Sequence, residues 1–261
     1  MCTLFIPQTI KMAASTVVLV TAAGRGIGRS LAEAFLARPN HTVIGSVRDQ
    51  TSSTAEELKA VTPADGSRLI LVKIDGTQPS DPAAAIKEAE AAGVDHIDIA
   101  ISVVGGAGGL SPLDKVTPEE VTNAVALNAL GPLALYQAAK PLLDKSKSPK
   151  WVGISSAVGS IGNMETFRAH VAPAYGIGKA SLNWITMAAH CGNKEMIAFV
   201  VHPGLVQTDG GNRAAKGMGL PQAPHTKEQS TNGTLSLIDN ATREKTSGKF
   251  FDSIAGTEIP W

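Results

Sequence analysis

A chain of 261 residues is long enough for one large α/β domain with a substantial core. Its 23 Lys and Arg balance 23 Asp and Glu, which argues against a nucleic acid or an anionic membrane as the main partner. No apolar run approaches the ~20 residues that span a bilayer. The two cysteines, Cys2 and Cys191, lie too far apart in sequence to suggest a disulfide framework, and a reducing, cytoplasmic setting is expected. The six histidines lack paired ligand spacing, so no catalytic metal is expected. Residues 1–15 read as a flexible N-terminal extension, with Met12 as an alternative start; the apolar run Leu4-Phe5-Ile6 is cut by Pro7 and is too short for a signal sequence.

Thr16 to Thr21 is a short, continuous, β-branched apolar run of the kind buried on both faces of a parallel sheet. It leads into Ala22-Ala-Gly-Arg-Gly-Ile-Gly28 and then a helical pattern over Arg29 to Leu36. Strand, glycine loop and helix in that order are the setting a nucleotide-binding turn requires. Gly24, Gly26 and Gly28 let the backbone, with Arg25 and Ile27 between them, approach a pyrophosphate at a helix N-terminus. The same residues also make a tight turn with no ligand. Thr42 to Val47 reads as the second strand. In dinucleotide folds an acid at its end binds the ribose 2′-hydroxyl. Val47 cannot accept that bond, whereas Arg48 can fork onto a 2′-phosphate with Arg25 flanking it. This favours NADP(H) over NAD(H); Asp49, one place on, argues the other way.

A polar helix (Ala55 to Val61) precedes a third strand, Arg68 to Ile74, which ends in Asp75. A carboxylate there either meets a ligand or caps the next turn. Ala83 to Ala92 reads as a helix and Ile97 to Val104 as the fourth strand. Gly105-Gly-Ala-Gly-Gly109 then lets the backbone pass close to a cofactor. Pro118 to Leu143 is helical with a break at Gly131-Pro132. Just before it, the Asn128 amide either bonds the backbone at the kink or holds a water. Trp151 to Ser155 forms the fifth strand, with Ser155-Ser156 at the functional edge of the sheet. The irregular segment Gly159 to Pro173, carrying Met164 and Phe167, is either a substrate wall or ordinary loop packing.

Tyr175 and Lys179 lie four apart and share a helical face. A free phenol titrates near ~10 and is a poor acid/base at neutral pH; an ammonium beside it brings that value toward the working range. Met196 to Val201 is the sixth strand and runs into His202-Pro-Gly-Leu-Val-Gln-Thr208. Asp209 to Pro224 reads as a glycine-rich irregular loop, with Met218 a further substrate contact in a substrate loop at about 205–225. Lys227 to Ala241 is helical despite Gly233, and Lys249 to Asp252 is a final short strand. The expected fold is α/β, a single doubly wound Rossmann-type domain over 16–261 with about seven parallel strands and helices on both faces.

The ordered set Thr21 to Gly28, Asp75, Asn128, Ser156, Tyr175 with Lys179, and Pro203-Gly204 with Thr208 resembles the short-chain dehydrogenase/reductase family from Thr16 to Trp261. The Ser-Ala-Val-Gly-Ser-Ile-Gly run from Ser156, the long gap to Tyr175, and the ending Gly248-Lys-Phe-Phe with Ile259-Pro-Trp261 resemble its fungal norsolorinic acid ketoreductase-like subgroup. The resemblance implies an NADPH-dependent reductase of a ketone or aldehyde, of polyketide or other secondary-metabolite type. Tyr175 would protonate the carbonyl oxygen. Lys179 would lower the Tyr175 pKa and bind the nicotinamide ribose. Ser156, preferred over Ser155 as second in the Ile-Ser-Ser run, would bond the substrate oxygen, and Asn128 would hold a relay water. Asp75 would lie near the adenine. Gly105, Pro203, Gly204 and Val206 would line the cofactor, and Thr208 would meet the carboxamide. Relatives often pair through two long central helices, which implies a homodimer or homotetramer. The rival class is a cofactor-binding cyclase, isomerase or redox sensor without net turnover. Two departures stand out: Ala22 replaces the usual glycine after the strand threonine, and Val103-Val-Gly105 replaces Asn-Ala-Gly, losing an amide that braces the sheet.

Overall fold

The computed structural model describes residues 15–106 and 109–261. The expected extension lies, Ser15 apart, outside the described residues, as do Ala107 and Gly108 of the glycine run. Strands β1 (Thr16–Val20), β2 (His41–Val47), β3 (Arg68–Lys73), β4 (Ile99–Ser102), β5 (Lys150–Ile154), β6 (Ile197–His202), β7 (Phe250–Asp252) and β8 (Thr257–Ile259) form one sheet. Their order is β3-β2-β1-β4-β5-β6-β7-β8, and all pairs are parallel except β7 with β8. The doubly wound sheet is thus as expected, with an added antiparallel edge strand of three residues, too short to register as a period-2 pattern.

Helices cover both faces. α1 (Gly26–Leu36), α2 (Ser53–Lys59) and α8 (Lys227–Asp239) supply Leu31, Phe35, Leu58, Leu235 and Ile238 to a core shared with Val18 and Val20. On the other face α3 (Asp81–Ala91), α5 (Gly131–Leu143) and α6 (Pro173–Gly192) pack Ile86, Leu135, Leu142 and Ala189 on Val17 and Leu19. Successive β1 residues thus serve opposite cores, which is why the strand reads as an unbroken apolar run. Trp151 is fully buried, with its indole N–H donated to Thr186 Oγ1 at 3.2 Å, so its large apolar area, worth roughly 2–3 kcal/mol, is buried without an orphan donor.

Two expectations are corrected. Pro118 to Leu143 does not break at Gly131-Pro132. α4 (Pro118–Val125) passes through a π-helical turn, Ala126–Leu130, straight into α5. Pro132 falls in the first turn of α5, where its missing N–H follows the widened turn and breaks nothing. Asp209 to Pro224 is not irregular throughout: α7 (Asp209–Gly217) occupies its first half, capped by Thr208 Oγ1 accepting from Gly211 N at 3.0 Å. Among the described residues no helix is long and apolar enough to cross a membrane.

Candidate active site

The sheet reverses its winding direction between β1 and β4, and ligands of open α/β sheets bind outside the strand ends at such a point. The glycine loop between β1 and α1 sits there. A Cβ at Gly28 would lie 2.4 Å from the Ala22 carbonyl oxygen, so only glycine lets α1 start this close to the strand end. Arg25, the residue before α1, gives no side-chain cap, and the first N–H groups of the helix point outward unclaimed by it. Thr208 closes the loop from the far side, facing Gly26. Ala22 holds φ +52°, a left-handed conformation costly for any residue with a Cβ. At Val103, Thr21 Oγ1 accepts from Val103 N at 2.8 Å and ties the ends of β1 and β4 together.

At the adenosine end, Arg25 and Arg48 are exposed. Asp49, the acid that argues against a phosphate, has Oδ1 taken by Thr51 N at 2.8 Å and Thr51 Oγ1 at 2.7 Å, bonds that lower its pKa. Asp75 uses Oδ1 in the same way, accepting from Thr77 N at 2.9 Å and Thr77 Oγ1 at 2.8 Å. Those bonds, with a smaller contribution from Arg48, hold its carboxyl below the usual range. The capping role of Asp75 is therefore present, with its second oxygen left beside the strand end.

Four further side chains meet where β4, β5, α6 and the π-turn converge. Asn128 is fully buried; its Nδ2 donates to Ala124 O at 2.9 Å and Gly106 O at 3.2 Å, and its Oδ1 accepts from Gly106 N at 3.3 Å. Its amide bonds the backbone at the π-turn and pins the glycine segment to it. Lys179, 3% exposed, donates from Nζ to Ile154 O at 2.8 Å. A Cβ on Gly105 would come within 2.7 Å of that Nζ and 2.9 Å of Asn128 Oδ1, so the glycine leaves the space between them open. Burial lowers the Lys179 pKa from 10.5 to about 8. Tyr175 is half-buried; burial pushes its phenol up, and hydrogen bonding with the Ser156 hydroxyl pulls it part of the way back. Lys179 Nζ stands 5.9 Å from the Tyr175 ring centroid and is committed to Ile154. The Tyr175 shift therefore runs opposite to the lowering expected from Lys179. Ser155, by contrast, turns away, with its Oγ donating to Asn183 Oδ1 at 2.6 Å.

Pro203, Gly204 (φ +84°) and buried Val206 form the loop leaving β6, and Thr208 ends it. Met164 (42% exposed) and Phe167 (37%) lie in the turn-rich stretch before α6, and Met218 (54%) at the end of α7. Leu110 packs near Gly217 beside Met218 and is also exposed. The exposed apolar residues Ile161 and Leu220 fall inside the two segments singled out from the sequence without being named there, whereas exposed Leu110 and buried Asn183 lie outside them and were missed.

Comparison with known proteins follows this geometry. Residues 16–218 match the family described as short chain dehydrogenase. A short-chain dehydrogenase of Pyricularia oryzae is 45% identical over 251 residues, 96% of this chain and 100% of that one. Norsolorinic acid ketoreductase of Aspergillus parasiticus is 38% identical over 248 residues, 94% of this chain and 91% of that one. Among solved structures, the NADPH-bound carbonyl reductase from chicken fatty liver superposes with a TM-score of 0.83 at 27% identity, covering 95% of each chain.

Proposed function

Because the chain belongs to the short-chain dehydrogenase family, and so is an oxidoreductase, we propose that it reduces an apolar ketone or aldehyde with NADPH, Tyr175 acting as the acid. The arrangement that carries this reading is Tyr175 one turn from the buried Lys179 on α6, with Lys179 Nζ beside the space kept open at Gly105; burial pushes the Tyr175 phenol up, so it keeps its proton until a carbonyl oxygen takes it. The glycine loop, the uncapped α1 N-terminus and the open space at Gly105 fit a nicotinamide dinucleotide. When bound, its reduced ring supplies the hydride.

This chain's residues do the remainder. Ser156 donates to the carbonyl oxygen and fixes its direction. Tyr175 O–H gives that oxygen its proton as negative charge develops. Lys179 would hold the ribose hydroxyls of the bound cofactor and return a proton toward the phenolate, and Asn128 fixes the Gly106 backbone beside it. Arg48 and Arg25, both exposed at the end of β2 and in the glycine loop, would take the 2′-phosphate. Asp75, Pro203, Gly204, Val206 and Thr208 flank the cofactor. The exposed Met164, Phe167 and Met218, with Leu110, Ile161 and Leu220, are the apolar side chains offered to an aromatic or polycyclic ketone. The outward face of α6, with Ile177 and Trp184 exposed, contacts a second copy. A cytoplasmic location accords with the two distant cysteines.

Incubation with NADPH and a panel of aromatic and cyclic ketones, followed by nicotinamide absorbance, tests the reading. Turnover is expected, and Tyr175→Phe removes at least about 100-fold of kcat with cofactor affinity nearly unchanged. NADPH binding with no turnover of any ketone supports the redox-silent class instead.

A further inference from the structure

Tyr175 and Lys179 have a third partner on their helix face. Asn183 follows Lys179 by four residues, as Lys179 follows Tyr175, so the three stack along one side of α6. Asn183 is 4% exposed, and each end of its amide has a partner: Oδ1 accepts from Ser155 Oγ at 2.6 Å and Nδ2 donates to Gly159 O at 3.1 Å. Those two partners bracket Ser156, one at the end of β5 and the other closing the short helical turn Ala157–Gly159. The bracketed segment lies flat on α6: a Cβ on Gly159 would stand 2.9 Å from Lys179 Cβ and 3.0 Å from the Lys179 carbonyl carbon.

Resting on the reductase reading above, we propose that Asn183 is the positioning residue for Ser156, a single amide that locks the serine segment to the helix carrying the proton donor. The chemistry explains the residue type. One end of the side chain must accept from a hydroxyl and the other must donate to a carbonyl, which an amide does and neither a carboxylate nor an alkyl group does. A carboxylate oxygen against Gly159 O repels; an alkyl group leaves the Ser155 hydroxyl and the Gly159 carbonyl unpaired in the core. Ser156 carries no such anchor of its own: its Oγ accepts a 3.3 Å bond from Val158 N in the next turn, and its other partner is the Tyr175 phenol that it must face. A misplacement of about 1 Å at a substrate-orienting group costs on the order of 100-fold in rate.

The test uses the full chain, NADPH and the ketone fastest in the panel above. Asn183→Asp and, as a second variant approaching the same bond from the other side, Ser155→Ala are expected to lower kcat about 10- to 100-fold, with the Kd for NADPH, read by its fluorescence, within about two-fold of the parent. In a Ser156→Ala background the same changes lose most of their effect, because the group they orient is gone. Asn183→Gln, which keeps the amide, recovers part of the rate. Equal losses with and without Ser156, or weakened NADPH binding in proportion, overturn the positioning role and leave the reductase reading intact. A parent chain that turns over no ketone, or Ser156→Ala with unchanged kcat, overturns that reading and this inference together.

Discussion

At the scale of the residue, Lys179 is an ammonium enclosed in protein, bonded to the Ile154 carbonyl. Burial of the charge is unfavourable, and the pKa falls from 10.5 to about 8 as a result. Between those two values the unfolded chain binds more proton than the native one, so this group makes stability rise with pH across that window. Below about 8 the full penalty applies, on the order of 3 kcal/mol. Lys179→Met is accordingly expected to melt higher than the parent near neutral pH without cofactor, to lose that advantage toward pH ~10, and to lose turnover; thermal melts across pH check it. Arg48 makes a different kind of point. Arg48→Ala should weaken NADPH by about 10-fold or more, a loss of 1.4 kcal/mol or more, and NADH hardly at all. Equal loss for both, measured by fluorescence titration, places the 2′-phosphate elsewhere. The Tyr175 and Lys179 pair was legible in the sequence because its spacing is a helix period. The direction of the Tyr175 shift was not, since it depends on burial and on where Lys179 Nζ is bonded, and no spacing records either.

At the scale of the element, the turn after β1 carries stored strain. Ala22 holds φ +52° where glycine would rest without penalty. Ala22→Gly relieves the left-handed Cβ and offsets it partly with extra unfolded-state freedom, for a net gain of about 0.5–1 kcal/mol. Chemical denaturation measures it, and a loss of stability would show that the Ala22 methyl contributes packing. The β1–loop–α1 unit was readable because a buried strand, a glycine loop and a helix each leave a separate mark. α7 left none. Its sequence, Asp-Gly-Gly-Asn-Arg-Ala-Ala-Lys-Gly, holds three glycines, and it is held by the Thr208 cap, by buried Ala215 and by Asn212 Oδ1 accepting from Ala223 N at 3.0 Å. β8 was equally silent: three residues gain strand character solely by pairing with β7.

At the scale of the whole molecule, α6 is unusual in carrying one charged residue, Lys179, and burying it, while Trp184 stands 73% exposed on its outer face. Trp184→Lys is expected to convert an associated form to monomers in sedimentation, with turnover per chain retained; a parent chain already monomeric at micromolar concentration removes the proposed contact. The π-turn at Ala126–Leu130 reaches across the molecule in another sense. It holds one residue more than an α-helix would use over the same rise. Upstream, α4 packs on α6; downstream, α5 is in register with the sheet, through Leu135, Ala139 and Leu142. Delete one residue from the turn, and a regular α-helix would span the same rise and leave α4 and α5 in their registers. The deletion would remove the widened turn instead, and with it the place from which the Asn128 amide reaches the Gly106 backbone. The extra residue thus specifies the site and not the core: the leucines of α5 would keep their packing without it, and the glycine segment would lose its anchor.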